Sequence, residues 1–467
     1  MIRTDTTTGV RLTIWLILAG FVISLAANLP GHLSYDSVIE LLEGRTAQYA
    51  GWHPPVTSWL LGIGDSILPG TALFAAADTA LIFGCLFALL SLKTRSGWLP
   101  ALLVVIFAAL PQFLIYPGIV WKDVLFAGTS VMAFVVLTYA AANWVNVRKR
   151  FALLTIAFGL FVLGALVRQN GIVMLAGGVV ALGWIAWRHE PDGWRGALKL
   201  AGGALAASLI VFSVANVALG TRLVNVTGYA RQFKLLEMYD IVAIASADPE
   251  VPLTELDKSD IAFSAAIRSD GVKLYSPQRN DPLAASPPLS NALQAAPPSL
   301  VTAQWLDLIM HHPLTYLGQR ADMFYWVVFT PEIAKCLPFD VGIQGPQDEL
   351  DDLNMTTRWD DRDVRLSQYA KSLEGTPVYW HALFAAMSLL GIIILLTRRS
   401  DTDIVVAAMM ASFLVFMLTY FFISLACDYR YLYGLDLSAM LGWFYMALDW
   451  PGAALRGLIE RHSLSAR

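Results

Sequence analysis

The sequence predicts an all-α polytopic membrane protein of about ten transmembrane helices, both termini cytoplasmic, with one large extracytoplasmic insert between helices seven and eight. Three observations lead there. Of the 467 residues, 57% are hydrophobic and 15% charged, and the mean hydropathy of +0.57 lies outside the range of soluble domains. Apolar runs recur at lengths that cross a hydrocarbon core of ~30 Å, for which ~20 helical residues suffice. Lysine and arginine collect on alternate short loops.

The apolar runs cover 11–28, 72–91, 99–117, 123–142, 151–167, 170–187, 199–219, 379–397, 403–425 and 431–449. The fifth and sixth form a tight hairpin around Arg168-Gln169-Asn170-Gly171, where Asn-Gly is itself a turn signal. One side of the membrane receives Arg3, Arg11, Lys93, Arg95, Arg148, Lys149, Arg150, Arg188, Arg195, Lys199, Arg398, Arg399, Arg456, Arg461 and Arg467. The opposite short loops hold only Arg45, Lys122, Arg168 and Arg430, and fifteen cations against four orient both termini inward. The first run has the basic start and apolar centre of a signal peptide. Ala26-Ala27-Asn28 leads straight into a loop with no small-x-small cleavage site, so an uncleaved helix is expected.

Three regions follow: an N-terminal bundle over 1–219 carrying the first outer loop, an extracytoplasmic cap over 220–378, and C-terminal membrane helices with a cytoplasmic tail over 379–467. Behind His53-Pro54-Pro55, residues 56–68 are too short to span and are expected along the interface. Within the cap, 229–245 has helical periodicity, whereas the five prolines of 280–299 read as an irregular loop. Trp305 to Phe329 is amphipathic, broken at His311-His312-Pro313, and suited to the interface plane. Residues 346–374 are strongly charged and expected to face solvent. Of three cysteines, Cys85 falls within the membrane, and Cys336 and Cys427 are expected as free thiols, a bridge between them being the alternative. Sequons at Asn225 and Asn354 matter only in a host that glycosylates them. The Ala-rich, short-looped chain reads as bacterial, and its net charge of −4 with a pI near 6.0 gives no sign of nucleic-acid binding.

The chemistry-bearing residues gather at helix ends on the outer side. They are Asp36, Glu40 and Glu43 in the first loop, Lys122-Asp123, Arg168, and the Asp428-Tyr429-Arg430-Tyr431 turn. Charges near hydrocarbon are costly and either pair or serve a pathway. Several cations and carboxylates from four hairpins suit an anionic head group held beside a base. Asp36 is the candidate general base, a role worth ~10²–10⁴ in rate, although Ser37-Val38-Ile39-Glu40 also reads as a capping box with Asp36 one residue ahead of it. Lys122 is placed to reach a phosphate and Asp123 to position an acceptor, and both also make sense as a helix start. Arg168 in so short an outer turn needs an anion nearby. Arg430 suits bidentate phosphate contact, with Tyr429, Tyr431 and Asp428 around it. Tyr35 and His53 are supporting residues, and Asp65 and Asp78 read as local hydrogen-bond partners. The histidines His32, His53, His311, His312 and His381 show no ligand spacing, so no metal residue is assigned and a divalent ion stays open.

In this order, an acidic first outer loop, His-Pro-Pro, Lys-Asp, Arg-x-Asn-Gly and a late Asp-Tyr-Arg-Tyr-Leu turn resemble the GT-C membrane glycosyltransferases. That superfamily includes protein mannosyltransferases, aminoarabinose transferases and O-antigen glucosylating enzymes. The resemblance covers 11–171 and 379–449. It implies that Asp36 is the catalytic acid residue, Asp123 the second acidic residue and Arg430 the arginine of the late turn. Gly434 replaces a frequent proline, and Ser37 stands where many members carry a second acid. It further implies a polyprenyl-phosphate sugar donor, a glycan, lipid or protein acceptor, and an inverting single displacement. Lys122, Arg168, Arg430 and Arg320 would then stabilise the leaving phosphate. The expected location is a bacterial inner membrane, with the site toward the periplasm or exterior. A repeat-unit polymerase and a transporter or flippase of lipid-linked glycans are the rival readings. A transporter predicts two-fold repeats or broken midplane helices, and neither is visible in the sequence.

Overall fold

A computed structural model describes residues 6–92, 98–219 and 222–449. Arg3, Lys93, Arg95, Arg456, Arg461 and Arg467 lie outside the described residues, as does the side chain of Asn225. Among the described residues, eight helices are long and apolar enough to cross a membrane: Thr8–Asn28, Ala72–Leu92, Lys122–Ala142, Val147–Val167, Gln169–His189, Trp194–Ala218, His381–Arg398 and Asp401–Ile423. These match eight of the ten expected runs. The 99–117 run is instead bent by 80° between Trp98–Ala109 and Pro111–Gly118. Pro111 has no N–H to give the preceding turn, and its ring excludes a continuous helix. The last run, Tyr433–Ala447, has 15 residues and is buried almost throughout. It packs with Lys122–Ala142 at the centre of the bundle, where protein rather than lipid covers its apolar surface.

Outside the spans, Tyr35–Thr46 and Pro55–Ile67 form a helical pair joined by the His-Pro-Pro link. Their backbones meet at two glycines. A Cβ on Gly44 would sit 2.0 Å from the Ser58 carbonyl oxygen, and one on Gly62 would sit 2.3 Å from that of Gly44. Trp59, Ile63 and Ile67 on the second helix, and Leu68 just after it, remain exposed. The capping box lies earlier than expected. Ser34 precedes the helix, its N–H donating to Ser37 Oγ at 3.3 Å, so Asp36 sits within the first turn rather than ahead of it. There its charge complements the helix N-terminus.

The cap has its own apolar core, built largely from Arg222–Ala247, Pro298–His311 and Pro313–Phe329. The proline-rich 280–299 segment is not an irregular loop. It contains Asp281–Ala284 and Pro287–Ala295 and opens Pro298–His311. Its prolines fall in the first turns, where the missing N–H has no helical partner to lose. Pro313 likewise starts a helix at the expected break. The 346–374 stretch is only partly solvated, because Asp363 is fully buried against Arg358 at 3.1 Å. Among the described residues only isolated β-bridges occur, and the one between Leu33 and Ile343 matters here. Leu33 N donates to Gly342 O and Gln344 N to Leu33 O, both at 2.9 Å, tying the cap to the first loop. Cys336 and Cys427 form a disulfide, which corrects the free-thiol expectation. Ninety-one residues separate them, so only the folded path of the cap shows their proximity.

Candidate active site

Each candidate side chain is delivered by a helix end. Asp36 and Glu40 stand one turn apart on Tyr35–Thr46 and therefore share a face. The two prolines of the following link set the approach of His53. Lys122 and Asp123 open the central helix Lys122–Ala142. Arg168 closes Val147–Val167, while Asp428 and Arg430 belong to the turn around Tyr429–Leu432.

These residues form one continuous network. Arg430 Nη2 donates to Asp36 Oδ2 at 2.6 Å, lies 3.2 Å from Asp428 Oδ2, and presents Nε to Asp123 Oδ2 at 3.8 Å. Asp123 also pairs with Arg168, which donates to the Tyr420 hydroxyl. His53 bridges the two carboxylates of the outer helix, 3.7 Å from Asp36 and 3.3 Å from Glu40. Lys122 contacts His53 and lies 3.8 Å from Glu40. Aromatic faces hold the cations in place. Arg430 stacks 5.0 Å from the Trp121 ring centroid, and Tyr431 lies between Arg168 and Arg430 at 5.3 and 5.7 Å.

The electrostatics divide the carboxylates. Burial by itself would raise Asp36, but Arg430, His53 and Lys122 together hold it well below the usual carboxylate range. Burial raises Glu40 against the pull of Lys122. His53 is drawn down to about 3, first by burial and then by Lys122, so it is neutral and its Nδ1 accepts from Lys122. Asp428 is raised by burial against Arg430 and Arg279.

Two cavities flank this network. The first, about 210 Å³, is lined by Lys122, Arg168, Asn170, Trp52 and Tyr431. It shares Gln169, Asn170, Gln232, Ile423 and Leu425 with an apolar groove of about 590 Å³ beside Tyr229 and Phe233. The second cavity, about 730 Å³, is lined by Asp36, Arg430, Asp428, Tyr35, Trp121 and Asp340 among others. Among the described residues no group of three or more His, Cys, Asp or Glu side chains is arranged to hold a metal ion.

Of the residues singled out in the sequence, Asp36, Glu40, His53, Lys122, Asp123, Arg168, Asp428, Arg430 and Tyr431 come together, and Tyr35 lines the larger cavity. Tyr429, Arg320 and Glu43 do not join them. Tyr429 turns inward and donates to Asp436 Oδ2 at 2.5 Å, stacked on His381. Arg320 is wholly buried in the cap, paired with Asp240 at 2.6 Å. Glu43 accepts from Ala50 N and Ser58 Oγ, both at 2.8 Å, and so braces the helical pair. Asp65 pairs with Arg45 at 2.7 Å. Sequence reasoning missed Trp121, Arg279, Asp281, Asp340 and Tyr420. The signal for Asp340 was its place four residues after Cys336, once that cysteine is known to bond Cys427.

No family model matches the chain, and no curated protein matches it. Among solved structures, the oligosaccharyltransferase AglB from Archaeoglobus fulgidus, complexed with an inhibitory peptide and a dolichol-phosphate, matches at 14% identity and a TM-score of 0.45. That match covers 96% of this chain and 52% of the other, so the chain spans about half its length. ArnT from Cupriavidus metallidurans, bound to undecaprenyl phosphate, matches at 14% identity and a TM-score of 0.32, over 93% of this chain and 77% of that one.

Proposed function

We propose that the chain is an integral-membrane glycosyltransferase that moves a sugar from a polyprenyl-phosphate donor to an acceptor hydroxyl. The observation that carries this reading is the position of the Asp36–Arg430 pair. A cation-lined cavity continuous with an apolar groove lies to one side, and an acidic, aromatic cavity lies to the other. A phosphate with an apolar tail matches the first in chemistry, and a polyhydroxylated or peptide acceptor matches the second. Both sugar carriers and flippases handle lipid phosphates, but a carboxylate lining the larger cavity, one network away from the cation-lined one, favours transfer.

In the resting protein Arg430 is neutralised by Asp36, which makes Asp36 a weak base. A donor phosphate drawn in by Lys122 and Arg168 competes for the Arg430 guanidinium, whose fork suits phosphate oxygens. As Arg430 turns to the phosphate, the half-buried Asp36 carboxylate loses its strongest cationic partner and gains basicity. It then accepts the acceptor's proton while that oxygen bonds the anomeric carbon. The bond from that carbon to the phosphate oxygen breaks, and its electron pair leaves on polyprenyl phosphate, with inversion. Cations preorganised around the leaving charge supply the main rate term. Base release coupled to donor binding limits futile hydrolysis.

The Cys336–Cys427 disulfide supports an extracytoplasmic site, since such bonds persist in oxidising compartments. We place the site on the periplasmic or outer face of a bacterial inner membrane.

The test is transfer of radiolabelled sugar from polyprenyl phosphate by the purified protein in nanodiscs. Asp36→Asn is expected to lower the rate by ~10²–10⁴ while the protein stays folded. Wild-type turnover by that variant sinks the assignment of the base, and label that crosses the bilayer without being consumed identifies a flippase.

A further inference from the structure

The larger cavity contains one carboxylate that the proposed reaction leaves unused. Four aspartates line it, and three have cationic partners. Asp36 pairs with Arg430 at 2.6 Å, Asp428 with Arg430 and Arg279 at 3.2 Å each, and Asp281 with Arg279 at 3.3 Å. Asp340 has no such partner, and its Oδ1 is buried without a hydrogen bond.

Asp340 is also held where it stands. Tyr116 donates its hydroxyl to Pro338 O, Gly342 N donates to His32 Nδ1 at 2.9 Å, and the disulfide anchors the chain at Cys336. Bound on both sides, this segment is poorly placed to swing its carboxyl to a distant cation. Burial pushes the group up to about 7, Arg430 opposing and Asp36 adding to the rise. A buried polar atom left without a partner is costly and calls for an explanation, a bound ligand among them.

The surroundings indicate which ligand. Tyr35, 62% exposed, shares the cavity with Trp121 and Phe339. Aromatic faces take the C–H side of a sugar ring, and carboxylate oxygens accept from its hydroxyls. Four carboxyl groups line the cavity with Arg430, and Arg279 already pairs with two of them, which disfavours an anionic ligand.

We propose that Asp340 is a specificity-determining residue that accepts hydrogen bonds from the hydroxyls of an uncharged or cationic carbohydrate acceptor. This rests on the transferase reading for the word acceptor, whereas carbohydrate binding in the cavity is tested directly.

The experiment titrates the nanodisc protein with maltohexaose, a chitosan hexamer and an oligogalacturonate, following tryptophan fluorescence. Undecaprenyl phosphate is titrated separately as the donor probe. Maltohexaose and the chitosan hexamer are expected to bind at least tenfold more tightly than the oligogalacturonate. Asp340→Asn should weaken both about ten- to hundredfold, the range for losing a hydrogen bond to a charged group, and leave undecaprenyl phosphate binding unchanged. Asp340→Glu, which keeps the carboxylate, should recover part of the affinity and report on folding of the site. Equal sugar affinity in Asp340→Asn and wild type, preference for the anionic oligosaccharide, or no sugar binding by wild type overturns the proposal. Asp340-dependent sugar binding without undecaprenyl phosphate binding would instead overturn the donor reading and leave this one standing.

Discussion

Two arginine–aspartate pairs of equal length, 2.6 Å, occupy different regions of the molecule. In the cap, Arg320 meets Asp240, with the side chains 0% and 1% exposed. Arg320 also donates to Ser424 O, and Trp305 donates to Asp240, both at 2.8 Å. At the rim of the bundle, Arg430 meets Asp36 with 14% and 24% exposure, between two cavities. Burial lifts Asp240 above the usual carboxylate range even with Arg320 beside it. Burial also lifts Asp36, but three cationic or polarised neighbours reverse the sign. The lesson concerns surroundings rather than pair geometry. A pair enclosed by apolar side chains braces a core, whereas a pair in a shared network beside open volume can exchange partners.

That contrast breaks first at Arg320. Arg320→Ala leaves Asp240 buried without its cation, and the expected loss is ~3–5 kcal/mol of stability. The readout is a lower melting temperature or failure to accumulate, with restoration by the double apolar variant Arg320→Met/Asp240→Leu. Unchanged stability would remove the distinction between the two regions. Next in size is Arg430→Lys, which keeps the charge and loses the fork. KM for the lipid donor should rise about tenfold, ~1.4 kcal/mol, with the melting temperature nearly unchanged. Unaltered donor kinetics would separate Arg430 from the phosphate.

The third comparison is the pH response of the rim. His53 titrates near 6.5 when unfolded and is held to about 3 when folded. His32 is also held to about 3, by burial first and then by Arg358. Between those values the unfolded chain binds more protons, so this stability is present above about pH 6.5 and is lost as pH falls toward 3. Melting temperature should fall steadily between pH 7 and 5, less steeply in His53→Asn, while Arg320 variants keep the wild-type slope. A slope unaffected by His53→Asn would assign the acid response elsewhere.

Much of the scaffold was legible because its causes are local. Apolar run length, proline positions and the Arg168 turn each act over a few residues, so eight spans and the cap helix over 229–245 were read correctly. Where the reading failed, local signals met longer-range facts. The prolines of 280–299 announced a break, but whether helices start behind them depends on an apolar core assembled from the rest of the cap. The 99–117 run has the composition of a span, yet Pro111 turns it through 80°.

The sequence by itself determined the membrane frame and most of the charged residues of the rim cluster. Alternation of spans must deliver every outer helix end to one face, and the charged residues sit at those ends. Tertiary structure alone decided the partners. Arg430 and Asp36 are 394 residues apart, and Cys336 and Cys427 are 91 apart. Contacts at such separation depend on how helices rotate and cross, which residue order does not encode locally. The same rotation buried Arg320 with Asp240, turned Tyr429 inward, and left Asp340 facing the cavity unpaired.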